Sequence, residues 1–238
     1  MWLYYITDRK QFPGTPAEQR RRLLEKIAEA ARCGVHFIQL REKDLSSREL
    51  EALAHDAVAL VRENSHATAP RPRDRAAQPT RLLINSRVDV ALAVGADGVH
   101  LPATDLTPSE ARAIWNSSAS LTGRDSQPVI DVSCHSPGDV QRARDQGADF
   151  AVFAPVFEKV TASTRVNGAG LAALRAACAS VAPIAGSQSK GFLVFALGGV
   201  TLDDAQSCIE AGAAGVAGIR LFQDEDVQTV VARLADRS

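Results

Sequence analysis

The sequence predicts an α/β protein built as a single (β/α)8 barrel, the TIM-barrel architecture, and three observations lead to this fold class. Eight short apolar runs alternate with amphipathic helical patterns along the 238 residues. Strands that are each followed by a helix form parallel sheets with right-handed crossovers, and eight such units are typical of a closed barrel. Glycine recurs at the predicted helix exits, as in ARCGVHF and EAGAAGVAG, where it suits the left-handed C′ position. A doubly wound open sheet is the main alternative.

Each predicted strand is a short apolar run, and each predicted helix shows the apolar period of about 3.6 residues. The strands are predicted at 3–7, 36–41, 81–85, 98–101, 129–135, 149–154, 192–197 and 215–219. The helices are predicted at 16–32, 47–62, 88–94, 108–115, 137–146, 168–179, 202–211 and 224–234.

We expect one domain over residues 1–238, with surface insertions at 64–80, 116–127 and 185–191. These stretches are rich in small, polar or Pro/Arg residues and interrupt the strand–helix rhythm. Each precedes a strand and therefore lies at the N-terminal face of the barrel, which serves stability more than catalysis.

The composition excludes several classes of protein. A formal net charge of -1 argues against nucleic acid as a partner, and the lack of a long apolar run argues against a membrane span. The start MWLYYITDRK is interpreted as a first strand because it lacks a basic region and a long apolar segment. The four cysteines form no CxxC pair, so neither a zinc site nor a disulfide framework is expected, and we predict a cytoplasmic protein.

The second predicted strand, in the stretch FIQLREKD, ends in polar residues at a spacing of two. Residues two apart on a strand share a face, so Gln39, Arg41 and Lys43 would point to one site at the C-terminal end of the barrel. A guanidinium and an ammonium together favour a phosphate or carboxylate ligand. The alternative is a salt-bridged rim with Glu42 and Asp44.

A second anion site is predicted after the seventh strand, where Gly198 and Gly199 follow an apolar run. Loops at this position of a barrel often bind phosphate through backbone N–H groups and a helix N-terminus. Thr201 or Asp203 could instead simply cap the next helix. Two anion sites indicate two phosphorylated ligands or one bisphosphate.

The fifth strand ends in DVSCHS, in which Asp131, Ser133 and His135 share one face. A histidine at a strand end near anion sites is suited to move protons, although a hydrogen-bonded structural histidine is the equal alternative. Cys134 lies on the opposite face and is expected to be inert.

Taken together, these segments resemble the thiamine phosphate synthase/TenI family over nearly the whole chain outside the three insertions. The matching segments, in family order, are YYITD, FIQLREK, LLINSRVDVALAVGADGVHL, VSCHS, GADFAVFAPVF, ALGGV and AGAAGVAGI. The resemblance implies a (β/α)8 barrel and one of two activities. The synthase joins hydroxymethylpyrimidine diphosphate to thiazole phosphate with Mg²⁺ and releases pyrophosphate. The TenI-type tautomerase aromatises a thiazole carboxylate phosphate without a metal.

Toward the synthase, the resemblance implies a diphosphate site made of Gln39, Arg41, Lys43 and Asn85. Asp105 matches one magnesium carboxylate. The second carboxylate of the family would directly follow the asparagine, and this chain has Ser86 there. A hydroxyl is a much poorer ligand for a hard divalent cation.

The loop after the sixth strand also departs from the synthase pattern, a Thr-x-Thr-Lys motif that closes on pyrophosphate. Thr161 matches one threonine, but Ala162 stands at the lysine position. Lys159 or Arg165 could compensate from a shifted loop.

On the thiazole side, the resemblance implies a phosphate site at Gly198 and Gly199, continued by Ile219 and Arg220 at the end of the last strand. A small polar residue is usual where Arg220 stands. His135 and Ser133 match the S-x-H segment that carries the acid/base histidine of the tautomerase.

The two departures both affect the release of pyrophosphate, and loss of one preorganised charge commonly costs on the order of 10²–10³ in rate. The sequence therefore favours a TenI-like thiazole phosphate tautomerase in which His135 is the acid/base and no cofactor is needed. The alternative is a divergent Mg²⁺-dependent synthase acting on both phosphorylated substrates. A non-catalytic relative that binds thiamine or thiazole phosphate is the second alternative. A homodimer is compatible with each interpretation.

Overall fold

The computed structural model describes residues 1–65, 78–122, 127–160, 165–183 and 191–235. Eight parallel strands close into a barrel, as predicted, because the first strand pairs with both the second and the last. In the order of the barrel, the strands are β1 Trp2–Ile6, β2 Phe37–Leu40, β3 Arg81–Asn85, β4 Gly98–Leu101, β5 Val129–Cys134, β6 Phe150–Phe153, β9 Leu193–Ala196 and β10 Gly215–Gly218.

Helices surround this barrel. They are α1 Pro16–Arg32, α2 Ser47–Asn64, α3 Val88–Val94, α4 Pro108–Thr122, α5 Pro137–Asp145, α6 Gly170–Ala179, α7 Ala205–Glu210, α8 Arg220–Gln223 and α9 Val227–Ala235. The first two begin with reciprocal capping boxes, formed by Thr15 with Glu18 and by Ser46 with Glu49. Such boxes satisfy backbone N–H groups that a helix start otherwise leaves unpaired.

Helix α4 extends beyond its predicted end at Trp115 and includes the first part of the segment 116–127 that was predicted as a surface insertion. Helix α4 continues through NSSASLT to Thr122. Trp115, with 2% of its surface exposed, anchors the helix in the core, and the Ser117 hydroxyl donates to the Ala113 carbonyl one turn back. The residues 66–77, 123–126 and 184–190, which hold most of the remaining predicted insertions, lie outside the described residues.

Three helices begin later than predicted, because the residues before them have other roles. Gly168 belongs to a close chain crossing, where an added Cβ would lie 2.5 Å from the Val156 carbonyl oxygen. Thr201 donates to Asp204 from both its backbone N–H and its hydroxyl, so a turn precedes α7. The Asp226 carboxylate accepts from the Thr229 N–H and caps α9.

Three short elements were not predicted. A 3-10 turn, Arg9–Gln11, follows β1, and the four-residue helix α8 follows β10. After β6 the chain forms a small antiparallel hairpin of β7 Lys159–Val160 and β8 Arg165–Val166. All three elements follow the C-terminal ends of barrel strands, where sites are built in this fold.

The core consists of two layers, one between barrel and helices and a smaller one inside the barrel. Four aromatic rings fill the inner layer, from Tyr4, Phe37, Phe150 and Phe195, and their centroids lie 4.8–5.9 Å apart. The barrel interior is therefore closed below its C-terminal end, which leaves a floor for a site at the mouth. Within the described residues, no helix combines the length and apolar character that crossing a bilayer requires.

Candidate active site

Gln39 projects into the barrel from the end of β2, because Phe37, two residues earlier, belongs to the inner core. Only 1% of Gln39 is exposed, and its Nε2 group has no hydrogen-bond partner within the described part of the chain. A buried amide donor without a partner is rare, because leaving it unsatisfied costs about 1–3 kcal/mol. An acceptor atom of a ligand bound in the mouth would satisfy this amide donor.

Arg41 and Lys43 follow beyond the strand. Because β2 ends at Leu40, the strand alternation that links Gln39 to Arg41 does not extend to Lys43, which lies in an exposed turn. The Arg41 backbone N–H donates to the Thr7 hydroxyl oxygen at 2.9 Å, and its side chain is half-buried. Arg41 is thus held at the mouth by its backbone.

A salt-bridged rim is also present, but its cation is Arg9, which the sequence analysis did not single out. The Arg9 guanidinium donates to Glu42 at 2.9 Å and makes a two-pronged contact with Asp44 at 2.7 Å for each bond. The Glu42 carboxylate also accepts from the Thr7 hydroxyl at 2.7 Å. The rim therefore joins the loops after β1 and β2, and it engages Glu42 and Asp44 without requiring Arg41.

The pKa values of the two carboxylates in the rim are shifted in opposite directions. Burial raises the pKa of Glu42, against the opposing effect of its hydrogen bonds from Thr7 and Arg9. Hydrogen bonding from Arg9 holds the pKa of the more exposed Asp44 well below its usual range. The hydrogen bonds that Arg9 donates to Asp44 also raise the pKa of Arg9, so the guanidinium stays charged.

The ends of β3 and β4 bring Asn85, Ser86 and Asp105 to one edge of the mouth. The Ser86 hydroxyl donates to the Asp105 carboxylate, whose other oxygen accepts from the Leu106 N–H at 2.8 Å. Ser86 has a φ of 66°, in the left-handed region that a non-glycine residue rarely adopts. Such backbone strain concentrates at functional sites.

A continuous hydrogen-bonded chain crosses the barrel interior beneath the mouth. The Tyr4 hydroxyl lies 3.3 Å from both oxygens of Asp131, and Asp131 lies 2.6 Å from Nδ1 of His100. Nε2 of His100 lies 2.9 Å from the Ser133 hydroxyl. Burial raises the pKa of the fully buried Asp131, opposed by its contacts with His100 and Tyr4. Only Ser133, at the upper end, is part-exposed to the mouth.

His135 lies beyond the end of β5 and is exposed. Its Nδ1 is 2.7 Å from the Ala154 carbonyl oxygen, and its backbone N–H donates to Asp139. A carbonyl only accepts, so Nδ1 carries a proton, and in the neutral imidazole Nε2 is then the acceptor. Cys134 faces the outer core, and burial raises its pKa to about 12, which agrees with the inert role predicted for it.

The hairpin after β6 carries Lys159 and Arg165, the two residues predicted to replace the family lysine. In its register Lys159 pairs with Val166 and Val160 pairs with Arg165, so the two cationic residues lie at neighbouring positions on the two strands of the hairpin. Thr161 and Ala162 lie outside the described residues.

Gly198 and Gly199 both have positive φ, 94° and 66°. The loop after β6 crosses directly against them: a Cβ on Gly198 would lie 2.7 Å from Pro155 Cα, and one on Gly199 would lie 2.7 Å from the Glu158 carbonyl oxygen. The absence of side chains at these glycines therefore lets the loop after β6 pack closely against them. The predicted helix N-terminus is not beside them, because α7 begins only at Ala205.

A cavity of about 1290 Å³ opens beside these glycines, on the β9–β10 side of the mouth. Ile219 and Arg220 line it after β10, together with Asp8 and Glu158. The Arg220 side chain is exposed, and its guanidinium makes no hydrogen bond or ion pair with any described residue. It offers a cation to a ligand in the cavity.

The sequence analysis gave Arg9, His100 and Tyr4 no role in the site. For His100 a signal was available, because it lies near the end of the strand GVHL, where it pairs in register with both Asn85 and Asp131. Arg9 gave no comparable signal, since its carboxylate partners lie 33 and 35 residues away along the chain.

This geometry can now be compared with known proteins. The family model described as thiamine monophosphate synthase matches residues 3–222. A putative thiamine-phosphate synthase of Geobacter sulfurreducens is 38% identical over 90% of this chain and 83% of its own. "Putative thiamine-phosphate synthase 2" of Aquifex aeolicus is 34% identical over 92% of this chain and 96% of its own.

Among solved structures, a thiamine phosphate pyrophosphorylase from Pyrococcus furiosus superposes with a TM-score of 0.71 at 28% identity, covering 99% of this chain and 94% of that one. The family-model match includes the strands that carry Gln39, Asn85, His100 and Ser133 and extends beyond Ile219. Barrel, strand-end residues and sequence similarity thus agree, and the chain belongs to the thiamine monophosphate synthase family.

Proposed function

We propose that this protein is a thiamine-phosphate synthase, a transferase that joins hydroxymethylpyrimidine diphosphate to thiazole phosphate and releases pyrophosphate. Relatives at 32–34% identity that carry this name without qualification support the assignment over the tautomerase that the sequence favoured. The proposal needs sites for two ligands, and the mouth provides two regions, one around Gln39 and one at the cavity beside Arg220.

The observation that carries the proposal is the buried, unpartnered amide of Gln39. A donor at the floor of the mouth suits a heterocycle with acceptor nitrogens, such as a pyrimidine. Arg41 lies two residues further toward solvent, where a diphosphate attached to that ring would extend. Loss of the Gln39 amide should therefore weaken binding of the pyrimidine diphosphate in particular.

The residues near Asp105 fit a magnesium site that has fewer protein carboxylates than the family pattern. Asp105 supplies a carboxylate at this edge, and no cluster of three metal-ligating acids, histidines or cysteines occurs within the described chain. Mg²⁺ is often held by one or two carboxylates plus substrate phosphates, so Asp105 and the diphosphate together meet its needs. When bound, the ion would neutralise charge on the departing pyrophosphate.

This arrangement predicts that Mg²⁺ binds with the diphosphate and only weakly before it. Ser86→Asp adds a second carboxylate and should lower the Mg²⁺ concentration for half-maximal turnover by about tenfold, because two carboxylates attract a hard cation more than one. Titration of Mg²⁺ in a pyrophosphate-release assay measures this, with Ser86→Asn as the uncharged control. An unchanged Mg²⁺ requirement in Ser86→Asp would argue against Asp105 as the metal ligand.

The decisive experiment is pyrophosphate release from the pyrimidine diphosphate and thiazole phosphate, with and without Mg²⁺. The synthase requires Mg²⁺-dependent release, and Gln39→Met should raise the KM for the pyrimidine diphosphate about tenfold or more while the KM for thiazole phosphate stays the same. No release under any condition, with thiazole phosphate still raising the Tm, would refute the synthase and leave binding alone or tautomerisation.

A specific observation keeps the tautomerase as a second candidate. The contact between His135 and the Ala154 carbonyl fixes the proton on Nδ1, so Nε2 is poised to accept a proton from a ligand. We propose this activity for the same mouth, with the thiazole carboxylate phosphate as substrate and no metal.

His135→Asn tests it, because an asparagine amide can still donate to the Ala154 carbonyl but cannot carry a proton at neutral pH. The tautomerase predicts aromatisation by the unmodified protein and a loss of about 10²-fold or more in the variant. Equal turnover by both proteins would remove His135 from the reaction.

A further inference from the structure

The short helix α8 carries Arg220 at its start and Gln223 at its end. Its own backbone supplies few hydrogen bonds: the Gln223 N–H donates to the Ile219 carbonyl at 3.0 Å, and the Asp224 N–H donates to the Arg220 carbonyl at 3.0 Å. A helix of one turn is not stable by itself, because so few bonds do not offset the cost of nucleation. The position of α8, and with it that of Arg220, therefore depends on contacts with other parts of the chain.

Two contacts join α8 to the first strand and to the loop after it. Phe222 is fully buried, and the centroid of its ring lies 5.6 Å from that of Tyr5 in β1. Beside it, the side-chain amide of Gln223 binds the backbone of Asp8 twice. The Asp8 N–H donates to Oε1, and Nε2 donates to the Asp8 carbonyl, each at 3.0 Å. The ring contact holds α8 against the barrel, whereas the two directional bonds also fix its rotation.

This amide continues the hydrogen-bonded ladder of the barrel where the last strand stops. The register of β1 with β10 ends at Tyr5 and Gly218, and the chain then turns into α8. Asp8 is extended, with φ -158° and ψ 91°, so its N–H and C=O point the same way, as in a strand residue that exchanges both bonds with a neighbour. The buried Gln223 side chain supplies the donor and the acceptor that β10 no longer provides.

The loop after β1 is the firmly held partner in this contact. Arg9, which follows Asp8, is bound to both carboxylates of the rim. The Thr7 N–H, which precedes it, donates to the Gln39 carbonyl at 2.9 Å and so keeps the loop paired with β2. The Gln223 amide thus ties α8 to a segment that its neighbours already fix.

The placement of α8 matters for Arg220 because the cavity beside it also contains acids. Asp8, Asp224 and Glu225 line the same cavity, and each carboxylate would attract a guanidinium that is free to move. Arg220 and Gln223 lie three residues apart, at neighbouring positions of one helix face. A rotation of α8 that breaks the contact with Asp8 would therefore also move the arginine.

We propose that Gln223 is a positioning residue for phosphate binding. By tying α8 to the backbone of Asp8, it keeps Arg220 available to the phosphate of the thiazole ligand instead of to the acids of the cavity. This inference rests on the proposed function and deepens it, because it identifies an internal contact on which the affinity for one substrate depends. Gln223 acts through Arg220 and need not touch the ligand.

A double-mutant cycle, measured by isothermal titration calorimetry with thiazole phosphate, tests the inference. Gln223→Met keeps the length of the side chain but removes both bonds to Asp8, and it should raise the Kd about fivefold. Arg220→Ser should raise the Kd about tenfold. The double variant should bind within about twofold of Arg220→Ser alone, because positioning has no effect once the positioned cation is absent. The Kd for the pyrimidine diphosphate should not change in any of them.

Lys26→Met is the matched control, because the Lys26 ammonium donates to the Glu225 carbonyl at 3.1 Å, just beyond α8. This variant removes a contact to the same segment and leaves the Gln223 amide in place, so the Kd for thiazole phosphate should stay within about twofold. Gln223→Asn is a second, neutral variant whose shorter amide cannot make both bonds to Asp8. It should raise the Kd in the same non-additive way, and it replaces Gln223→Met in the cycle if that variant does not fold.

An unchanged Kd for thiazole phosphate in the Gln223 variants would overturn the inference. So would a double variant about 50-fold weaker than the unmodified protein, since independent effects multiply. An equal rise in Lys26→Met, or an equal rise in the Kd for the pyrimidine diphosphate, would show a general loosening of the fold and would also overturn it.

The test is separate from the synthase assay, because it measures binding without turnover. The expected pattern of Kd values in a protein that releases no pyrophosphate would support the role of Gln223 and refute the synthase. The opposite result, normal pyrophosphate release with a Gln223 effect that multiplies that of Arg220→Ser, would refute the role of Gln223 alone. If the unmodified protein does not bind thiazole phosphate, both proposals fail.

Discussion

Two arginines, Arg9 and Arg220, follow neighbouring strands of the barrel, and their surroundings differ completely. Arg9, after β1, has a side chain only 10% exposed and is held by two carboxylates. Arg220, after β10, is exposed and lines the cavity without an ion pair in the part of the chain that the structure describes. Since β1 and β10 are paired, both cations belong to the same sector of the mouth.

The comparison shows that a cation at a strand end can serve the protein or a ligand, and that its partners decide which. Arg9 is neutralised by Glu42 and Asp44 and fixes the loops around Gln39. Arg220 retains an unshared charge beside Gly198, where the family resemblance implies a phosphate. Changes at Arg9 should therefore affect stability first, and changes at Arg220 should affect ligand binding first.

The largest expected effect comes from Arg9→Met. The Glu42 side chain is 1% exposed, and removing its cation leaves a buried carboxylate without a counter-ion, although Thr7 and the Arg9 backbone N–H still donate to it. Breaking such a pair should lower the free energy of unfolding by about 3 kcal/mol, measured by urea denaturation at pH 7. The double variant Arg9→Met/Glu42→Met should recover most of this loss. If the single variant unfolds like the unmodified protein, the rim is not a stabilising element.

Arg220→Ser is expected to have a smaller effect, on binding. The KM for thiazole phosphate should rise about tenfold, equivalent to about 1.4 kcal/mol, while the urea midpoint stays unchanged. Arg233→Ser is the matched control, because that arginine also lines the cavity but pairs with Asp203 at 3.2 Å. An equal rise in the KM for thiazole phosphate with both substitutions would mean that the overall positive charge of the cavity, and not Arg220 in particular, determines binding.

The smallest expected effect concerns the exposed member of the rim and appears on acidification. The folded pKa of Asp44 is depressed by Arg9, so its stabilising contribution is complete above its unfolded pKa of about 4 and is lost as the pH falls toward the folded value. Asp44→Asn should thus lower the Tm at pH 7, and the difference from the unmodified protein should shrink steadily as the pH falls below about 4. A Tm difference that stays constant on acidification would contradict an electrostatic role.

The barrel could be predicted because its evidence is local and repeated. Four elements were predicted with the bounds observed, β3, β4, α1 and α3, since apolar period and flanking residues define them. The start of α6 was missed because Gly168 contacts the segment at Val156, whereas α7 and α9 begin later because the polar residues before them form capping turns that the helical period does not reveal. The same limit applies to the site: Gln39 was found from alternation, whereas Arg9 acquires its role only through partners that folding brings to it.

The closure of the barrel affects how the polypeptide folds while it is being synthesised. Trp2 pairs with Gly215, so the first strand leaves the ribosome long before the last strand that completes its pairing. Until then one edge of β1 has no parallel neighbour, and its backbone N–H and C=O groups are open to other chains. Long-range parallel pairing of this kind is slow and exposes partly folded chains to aggregation. We therefore expect nascent chains that end before β10 to be the species that most depends on chaperones.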